Sequence, residues 1–286
     1  MITRFKMSYR ASCLCAFLVI GLGPLLMSQG VHHLPSSWKS LLLSLIDMAL
    51  PVTFSQVSLA TAIGLSAAGI WAGTTPPNAS SDEVPATGDS IRSVVDAQQK
   101  YSSIFYLSFG AAVCHHISLV LTYPNVPGSL IRNGTVNGLN PSFVTWSRNT
   151  AVPVALILTG ASLRLVSYGA LGSNFTFGLA EPDRLNTSGL YRYIQHPSYT
   201  GVIAMVAGVL GLWARADGPL SSCFLPVGLF GGLRRFEPVA LSAVFASAVI
   251  LASKRVKDEE AMLRAKFGEQ WEAWHSRTAR FIPFLF

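Results

Sequence analysis

Residues 188 to 201 read Ser-Gly-Leu-Tyr-Arg-Tyr-Ile-Gln-His-Pro-Ser-Tyr-Thr-Gly and lead directly into an apolar stretch that ends at Leu212. Tyrosine, arginine and histidine side chains therefore stand at the mouth of a segment with membrane-like composition. Such groups are costly to remove from water, and in membrane segments they commonly mark a functional site. Because Pro197 follows His196, regular helix is interrupted there and local backbone groups are left exposed. We expect this stretch to form one half of a site.

The composition of the 286-residue chain is that of a polytopic membrane protein. Half of the residues are hydrophobic and only 12% are charged, compared with about 25% in soluble domains. Runs of about 20 apolar residues can cross a bilayer as helices, so we predict an all-α fold with about six transmembrane helices. They are residues 11–28, 52–71, 101–122, 151–171, 199–214 and 237–252. Residues 1–150 then supply N-terminal helices and loops, and residues 151–286 the catalytic region.

The distribution of positive charge predicts the orientation in the membrane. With a cytosolic N-terminus and six spans, cytosolic segments carry 14 of the 21 Lys and Arg residues and lumenal segments carry 6. This bias follows the positive-inside rule. A cleaved signal peptide is the alternative for the first span, but no small-residue cleavage site follows it.

The net charge of +7 does not indicate nucleic-acid binding, because no basic stripe lies on a soluble fold. The four cysteines lack metal-ligand spacing, so we predict no metal site and no disulfide.

Three connecting segments are predicted between the spans. Residues 73–100 are rich in Pro, Ser and Thr, which indicates a flexible cytosolic loop. Residues 123–150 form a second, turn-rich loop. Residues 220–233 are apolar but broken by Pro226 and glycines, and we interpret them as a re-entrant or interfacial hairpin.

The second half of the predicted site lies near the C-terminus. We predict a cytosolic amphipathic helix from about Lys254 to His275, in which every fourth residue from 255 to 271 lies on one face. That face reads Arg, Glu, Leu, Phe, Trp, so it carries Arg255 and Glu259 above apolar residues that pack inward. Glu260 points about 100° away from it. An intrahelical ion pair, with Arg255 for Glu259 or Arg264 for Glu260, is the purely structural alternative.

Arg164 is a charged residue within an otherwise apolar predicted span. Its central position makes it difficult for the side chain to reach the membrane surface. We therefore interpret it as a cation held for an anionic group of a ligand. Tyr191 and Tyr199 cluster with His196, whereas an interfacial aromatic belt explains Tyr193. Small residues such as Gly201 favour close packing between membrane helices.

Three blocks between residues 160 and 286 resemble the isoprenylcysteine carboxyl methyltransferase family of integral membrane enzymes. The joint spacing of the blocks carries the resemblance, because each block alone is short. They are Leu163-Arg164 with Gly172-Ser173-Asn174-Phe175, Thr187-Ser188-Gly189-Leu190-Tyr191 with His196-Pro197-Ser198-Tyr199-x-Gly201, and Arg255-x3-Glu259-Glu260-x2-Leu263-x3-Phe267-Gly268.

The resemblance implies methyl transfer from S-adenosyl-L-methionine to the C-terminal carboxylate of a prenylated cysteine. It further implies an endoplasmic reticulum membrane enzyme that faces the cytosol, with prenylated proteins and membrane lipid as partners. The implied acceptor-binding residues are Arg164 and Arg255. The implied cofactor-binding residues are Tyr191, His196, Pro197, Tyr199, Gly201, Glu259 and Glu260.

Gln195 departs from the family pattern, which has Arg before the His-Pro pair. We expect Gln195→Arg to leave activity equal or higher. The His-Pro-x-Tyr motif also occurs in membrane sterol reductases that use NADPH and in phospholipid methyltransferases. These two activities and an inactive membrane homologue are the alternatives.

Overall fold

A computed structural model of the protein describes residues 52–79, 85–131, 139–224 and 227–282. This part of the chain is helical, without a β-strand, and an isolated bridge pairs Ile194 with Ala279. The predicted span 11–28 lies outside the described residues. The α-helices are α1 (Phe54–Thr74), α2 (Arg92–Thr122), α3 (Arg148–Leu171), α4 (Pro197–Trp213), α5 (Pro219–Phe224), α6 (Val227–Phe267) and α7 (Glu269–His275).

Four helical segments in the described ranges are long and apolar enough to cross a membrane. They are α1, α2, Pro141–Asn174 around α3, and Gly232–Phe267 within α6. Helix α4 is apolar but has only 17 residues, so it is shorter than the other four. The predicted all-α membrane architecture is confirmed in this respect, whereas the count of six spans is not.

Local sequence explains where two of the spanning helices begin. A capping box starts each of them: Thr53 pairs with Gln56 before α1, and Ser147 pairs with Thr150 before α3. Each box satisfies backbone N–H groups that the first helical turn leaves without partners. Pro197 occupies the first turn of α4, where its missing N–H costs nothing.

Glycines bring α3 and α4 into close contact. A Cβ atom on Gly201 would lie 2.5 Å from the carbonyl oxygen of Gly160, and one on Gly208 would lie 2.6 Å from that of Pro153. Neither position can hold a larger side chain without moving a backbone, so the two helices pack through small residues. This close packing brings Arg164 of α3 beside Ser198 of α4.

Two predicted connecting segments differ from the structure. The flexible loop was predicted to reach residue 100, but α2 begins at Arg92. The stretch 220–233, predicted as a hairpin, is mostly helical, because α5 occupies Pro219–Phe224 and α6 begins at Val227; a turn at residues 225 and 226 falls outside the described ranges, so the re-entrant or interfacial hairpin stays a prediction. The predicted loop 123–150 contains short 3₁₀ helices at Gly128–Leu130 and Pro141–Phe143, and its residues 132–138 lie outside the described ranges.

The predicted C-terminal helix is not a separate element. Residues 254–267 continue α6, which is 41 residues long, and the helix stops at Gly268. This residue has a φ of 48°, a conformation that suits glycine. Trp271 therefore lies on α7, so the predicted single face over residues 255–271 ends before it.

Candidate active site

A cavity of about 330 Å³ lies between α2, α3, α4, α6 and the segment 174–186. Its volume falls within the range of about 300–1,000 Å³ that small-molecule sites occupy. The cavity brings together residues that are far apart in the sequence and were predicted to form one site. They are Arg164, Tyr191, His196, Tyr199, Arg255 and Glu259. Pro197, Gly201 and Glu260 were also predicted to bind the cofactor, but they are not among the lining residues.

Arg164 is a buried cation, with only 7% of its surface exposed. Its Nε donates to the backbone oxygen of Gly73 and to the hydroxyl of Tyr168, and one Nη donates to Ser198 Oγ at 3.0 Å. The guanidinium also lies 5.1 Å from the centre of the Phe177 ring. Among the described residues, no carboxylate forms an ion pair with Arg164. A buried cation in this state favours an anionic ligand.

Arg255 is buried as well, but its charge is balanced. One Nη lies 2.6 Å from Asp89 Oδ1, and the other donates to the backbone oxygen of Phe177 at 2.7 Å. Burial alone raises the pKa of Asp89, but the hydrogen bond and charge of Arg255 and the backbone N–H groups of Leu179 and Ile91 outweigh it. The pKa of Asp89 is therefore lower than usual, and the ion pair persists at neutral pH.

The two adjacent glutamates have different surroundings. Glu259 faces the cavity and accepts a hydrogen bond from Tyr199 Oη at 2.8 Å. Glu260 instead lies 3.3 Å from His196 Nε2 and 3.0 Å from Arg280. Both glutamates are therefore oriented as the helical spacing predicted. The intrahelical alternative for Glu260 is wrong, because Arg264 pairs with Glu272 at 2.6 Å.

His196 lines the cavity, and one of its ring nitrogens has no hydrogen bond among the described residues. Its Nδ1 is buried, has no hydrogen-bond partner among the described residues, and lies 3.8 Å from Glu259 Oε1. That separation exceeds a hydrogen bond. Since Nε2 faces Glu260, we assign the proton to Nε2 and leave Nδ1 as an acceptor. A buried polar atom of this kind is suited to a ligand that carries a donor.

Tyr191 is held by the C-terminal helix α7. Its backbone oxygen accepts a hydrogen bond from Trp274 Nε1 at 2.8 Å. Burial, and then the charge of Glu259, raise the pKa of Tyr191 well above its usual value. The phenol therefore stays protonated and offers a hydrogen-bond donor to the cavity.

Gln195 is tied to the C-terminal segment. Its Nε2 donates to the backbone oxygen of Thr278 at 2.7 Å and to Thr278 Oγ1 at 2.9 Å, and its Oε1 lies 2.8 Å from His275 Nδ1. Arginine has no acceptor for His275, so this network reverses the expectation for Gln195→Arg.

Gly201 and Pro197 have structural positions. Gly201 faces Gly160 across the helix contact, and Pro197 begins α4. Both place their neighbours His196 and Tyr199 at the cavity, and direct cofactor contact by either stays a prediction.

Comparison with known proteins agrees with the sequence motifs. A family model described as phospholipid methyltransferase matches residues 149–248, a range that includes Arg164 and His196 but ends before Arg255. Two curated relatives, from Oryza sativa subsp. indica and subsp. japonica, are named probable protein-S-isoprenylcysteine O-methyltransferase. Each is 22% identical over 198 residues, which covers 68% of this chain and 83% of the relative. No solved structure matches significantly. The resemblance to membrane methyltransferases of the isoprenylcysteine type is thereby confirmed.

Proposed function

We propose that the protein methylates the C-terminal carboxylate of prenylated cysteine, with S-adenosyl-L-methionine as the methyl donor. The observation that carries this proposal is the buried guanidinium of Arg164, which lines the cavity without a carboxylate partner in the described residues. An anionic acceptor completes such a site, and a planar guanidinium can bind both carboxylate oxygens. Arg255 contributes a second guanidinium to the same wall.

The chemistry of a carboxylate acceptor suits the groups that the cavity offers. A C-terminal carboxyl has a reference pKa of about 3.5, so it is ionised at neutral pH and needs no general base. What remains for the protein is to orient the carboxylate and exclude water. Arg164 supplies the orientation, and the buried position of the site limits the access of water.

The donor set of the cavity fits S-adenosyl-L-methionine, which supplies an electrophilic methyl group when bound. Glu259 is the carboxylate for an ammonium group or ribose hydroxyls, and the free His196 Nδ1 accepts from a ligand donor. Tyr191 and Tyr199 offer a phenol donor and an aromatic face for a cationic centre. Glu260 is proposed to act through His196, which it contacts.

The apolar part of the cavity wall is suited to a prenyl chain. Val202 of α4 and Ala248, Leu251 and Ala252 of α6 line it. Helix α6 also carries exposed hydrophobic residues, such as Val244 and Ile250, so its side of the wall connects the cavity to a lipid-facing surface. A membrane-embedded enzyme of prenylated-protein processing needs this combination of polar head site and apolar wall.

A phospholipid methyltransferase is the second candidate, and the family model that matches residues 149–248 favours it. Its acceptor is an amine, which is protonated at neutral pH and must lose a proton before it attacks. A buried arginine without a carboxylate partner repels that ammonium. A sterol reductase that uses NADPH, or an inactive homologue, has no specific observation in its favour.

The decisive experiment is methyl transfer by membranes that contain the protein. Labelled S-adenosyl-L-methionine is offered with an S-farnesylcysteine analogue, with the same analogue as its carboxamide, or with phosphatidylethanolamine. We expect label in the free acid only, and its release by mild base, because esters hydrolyse and N-methyl groups do not. Base-stable label in the phospholipid would contradict the proposal and support the second candidate.

We also propose that the enzyme resides in the endoplasmic reticulum membrane with its site toward the cytosol. Asn174 and Asn186 each begin a glycosylation sequon, and Asn174 lines the same cavity as Arg164. A cytosolic site leaves both asparagines unmodified. Sugar on either of them in microsomes would place the site in the lumen and refute the orientation.

A further inference from the structure

Asp89 is a buried carboxylate in a segment that sequence composition describes as a loop. Its side chain has no exposed surface, although it lies outside the region that the family model matches. One oxygen is 2.6 Å from Arg255, and the other accepts from the backbone N–H of Leu179 at 3.0 Å. Asp89 thus connects the start of α2 to α6 and to the cavity segment 174–186.

The contacts of Asp89 extend to both arginines of the site. Arg255 lies between Asp89 and the backbone oxygen of Phe177, and the Phe177 ring lies 5.1 Å from the guanidinium of Arg164. A change at Asp89 therefore frees Arg255 directly and loosens Phe177 next to Arg164. Buried ion pairs are poor sources of net stability, and fixing one geometry is a role they can serve.

We propose that Asp89 is a positioning residue for methyl transfer, which holds Arg255 and, through Phe177, Arg164 where they receive the acceptor carboxylate. This inference rests on the proposed function. Asp89 does not line the cavity, so it acts through the arginines. Its loss should weaken the handling of the acceptor and leave cofactor binding intact.

The test compares acceptor KM with cofactor affinity in Asp89→Asn, which keeps the side-chain size but removes the charge. We expect KM for the farnesylcysteine analogue to rise about tenfold, as for the loss of a charge-assisted hydrogen bond. The dissociation constant of S-adenosyl-L-methionine, measured by titration, should stay within about twofold of the wild-type value. A general distortion of the site would instead raise both this constant and the acceptor KM. Asp89→Glu restores the charge and should recover part of the loss.

Asp258→Asn is the matched control. Asp258 accepts hydrogen bonds from Ser90 N at 2.9 Å and Oγ at 2.6 Å, so it attaches the same segment to α6 without contacting Arg255. We expect a wild-type KM for this variant. A KM as high as in Asp89→Asn would mean that attachment of the segment alone matters, and it would overturn the proposal.

A double-mutant cycle with Arg255→Lys provides the second readout. Lysine keeps the charge but cannot bridge Asp89 and Phe177 with a planar fork. If Asp89 acts through Arg255, adding Asp89→Asn to Arg255→Lys should change KM little further. If the two substitutions raised KM independently, so that their effects multiplied in the double variant, the inference would be refuted. A wild-type KM in Asp89→Asn would refute it as well. Asp89→Glu takes the place of Asp89→Asn in the cycle if the latter does not fold. A wild-type protein that transfers no methyl group would instead refute the proposed function itself.

Discussion

Arg164→Lys tests the acceptor site most directly. Lysine keeps the positive charge near Gly73 and Ser198 but loses the planar pair of Nη groups and the stacking against Phe177. A hydrogen bond to a charged group contributes about 1.5–3 kcal/mol. Since 1.4 kcal/mol corresponds to a factor of ten, we expect kcat/KM for the prenylcysteine acceptor to fall about ten- to hundredfold.

The assay measures turnover of the farnesylcysteine analogue and, separately, binding of S-adenosyl-L-methionine by titration. Cofactor affinity should change little, because Glu259 and His196 stay in place. Arg148→Lys is the control, since Arg148 is exposed on the same helix and should tolerate the change. Normal turnover of Arg164→Lys, or a defect confined to cofactor binding, would show that Arg164 does not hold the acceptor carboxylate.

Glu259→Ala should weaken cofactor binding more than Glu260→Ala, because only Glu259 lines the cavity; equal losses in a titration would contradict this. His196→Gln should lower turnover at saturating cofactor by less than about tenfold, because a carboxylate acceptor needs no general base, and loss of such a base typically lowers the rate by about 10²- to 10⁴-fold; a larger loss would indicate proton transfer and an amine acceptor. Gly201→Ala should destabilise the protein by about 1–3 kcal/mol, because its Cβ would lie 2.5 Å from the backbone oxygen of Gly160; an unchanged thermal midpoint in detergent would refute the close contact. Gln195→Arg should lower both the thermal midpoint and activity, since it removes the acceptor for His275 Nδ1; activity at or above wild type would restore the original expectation.

The spans and the polar motifs were predictable because their signals are local. Apolar runs define α1 and α3, and the charged or aromatic residues that interrupt such runs, Arg164 and the stretch 188–201, meet at the cavity. Helical periodicity correctly predicted that Glu259 and Glu260 face different directions. It applies to both because they lie on α6, before the break at Gly268. Within one helix, four-residue spacing is enough to assign a face.

Long-range contacts carry no such signal, and there the sequence-based prediction failed. Asp89 lies in a Pro- and Ser-rich stretch whose composition indicates a solvated loop, and its partner Arg255 is 166 positions away. The contacts of Gln195 with Thr278 and His275 are likewise set by how the C-terminal segment folds back. Identifying Asp89 from sequence would require aligned relatives in which it varies together with Arg255.

The protonation states around the cavity favour an acceptor that arrives already deprotonated. Asp89 is a weaker base than usual, because Arg255 lowers its pKa, and Tyr191 keeps its proton, because burial raises its pKa. Glu259 already accepts a hydrogen bond from Tyr199, and the buried His196 Nδ1 on the same wall has no hydrogen-bond partner among the described residues. A carboxylate needs none of these groups as a base, whereas an ammonium needs one and also meets the unbalanced charge of Arg164. The unbalanced guanidinium of Arg164, which favours a carboxylate, therefore opposes the principal rival substrate, whereas Arg255 is already paired with Asp89.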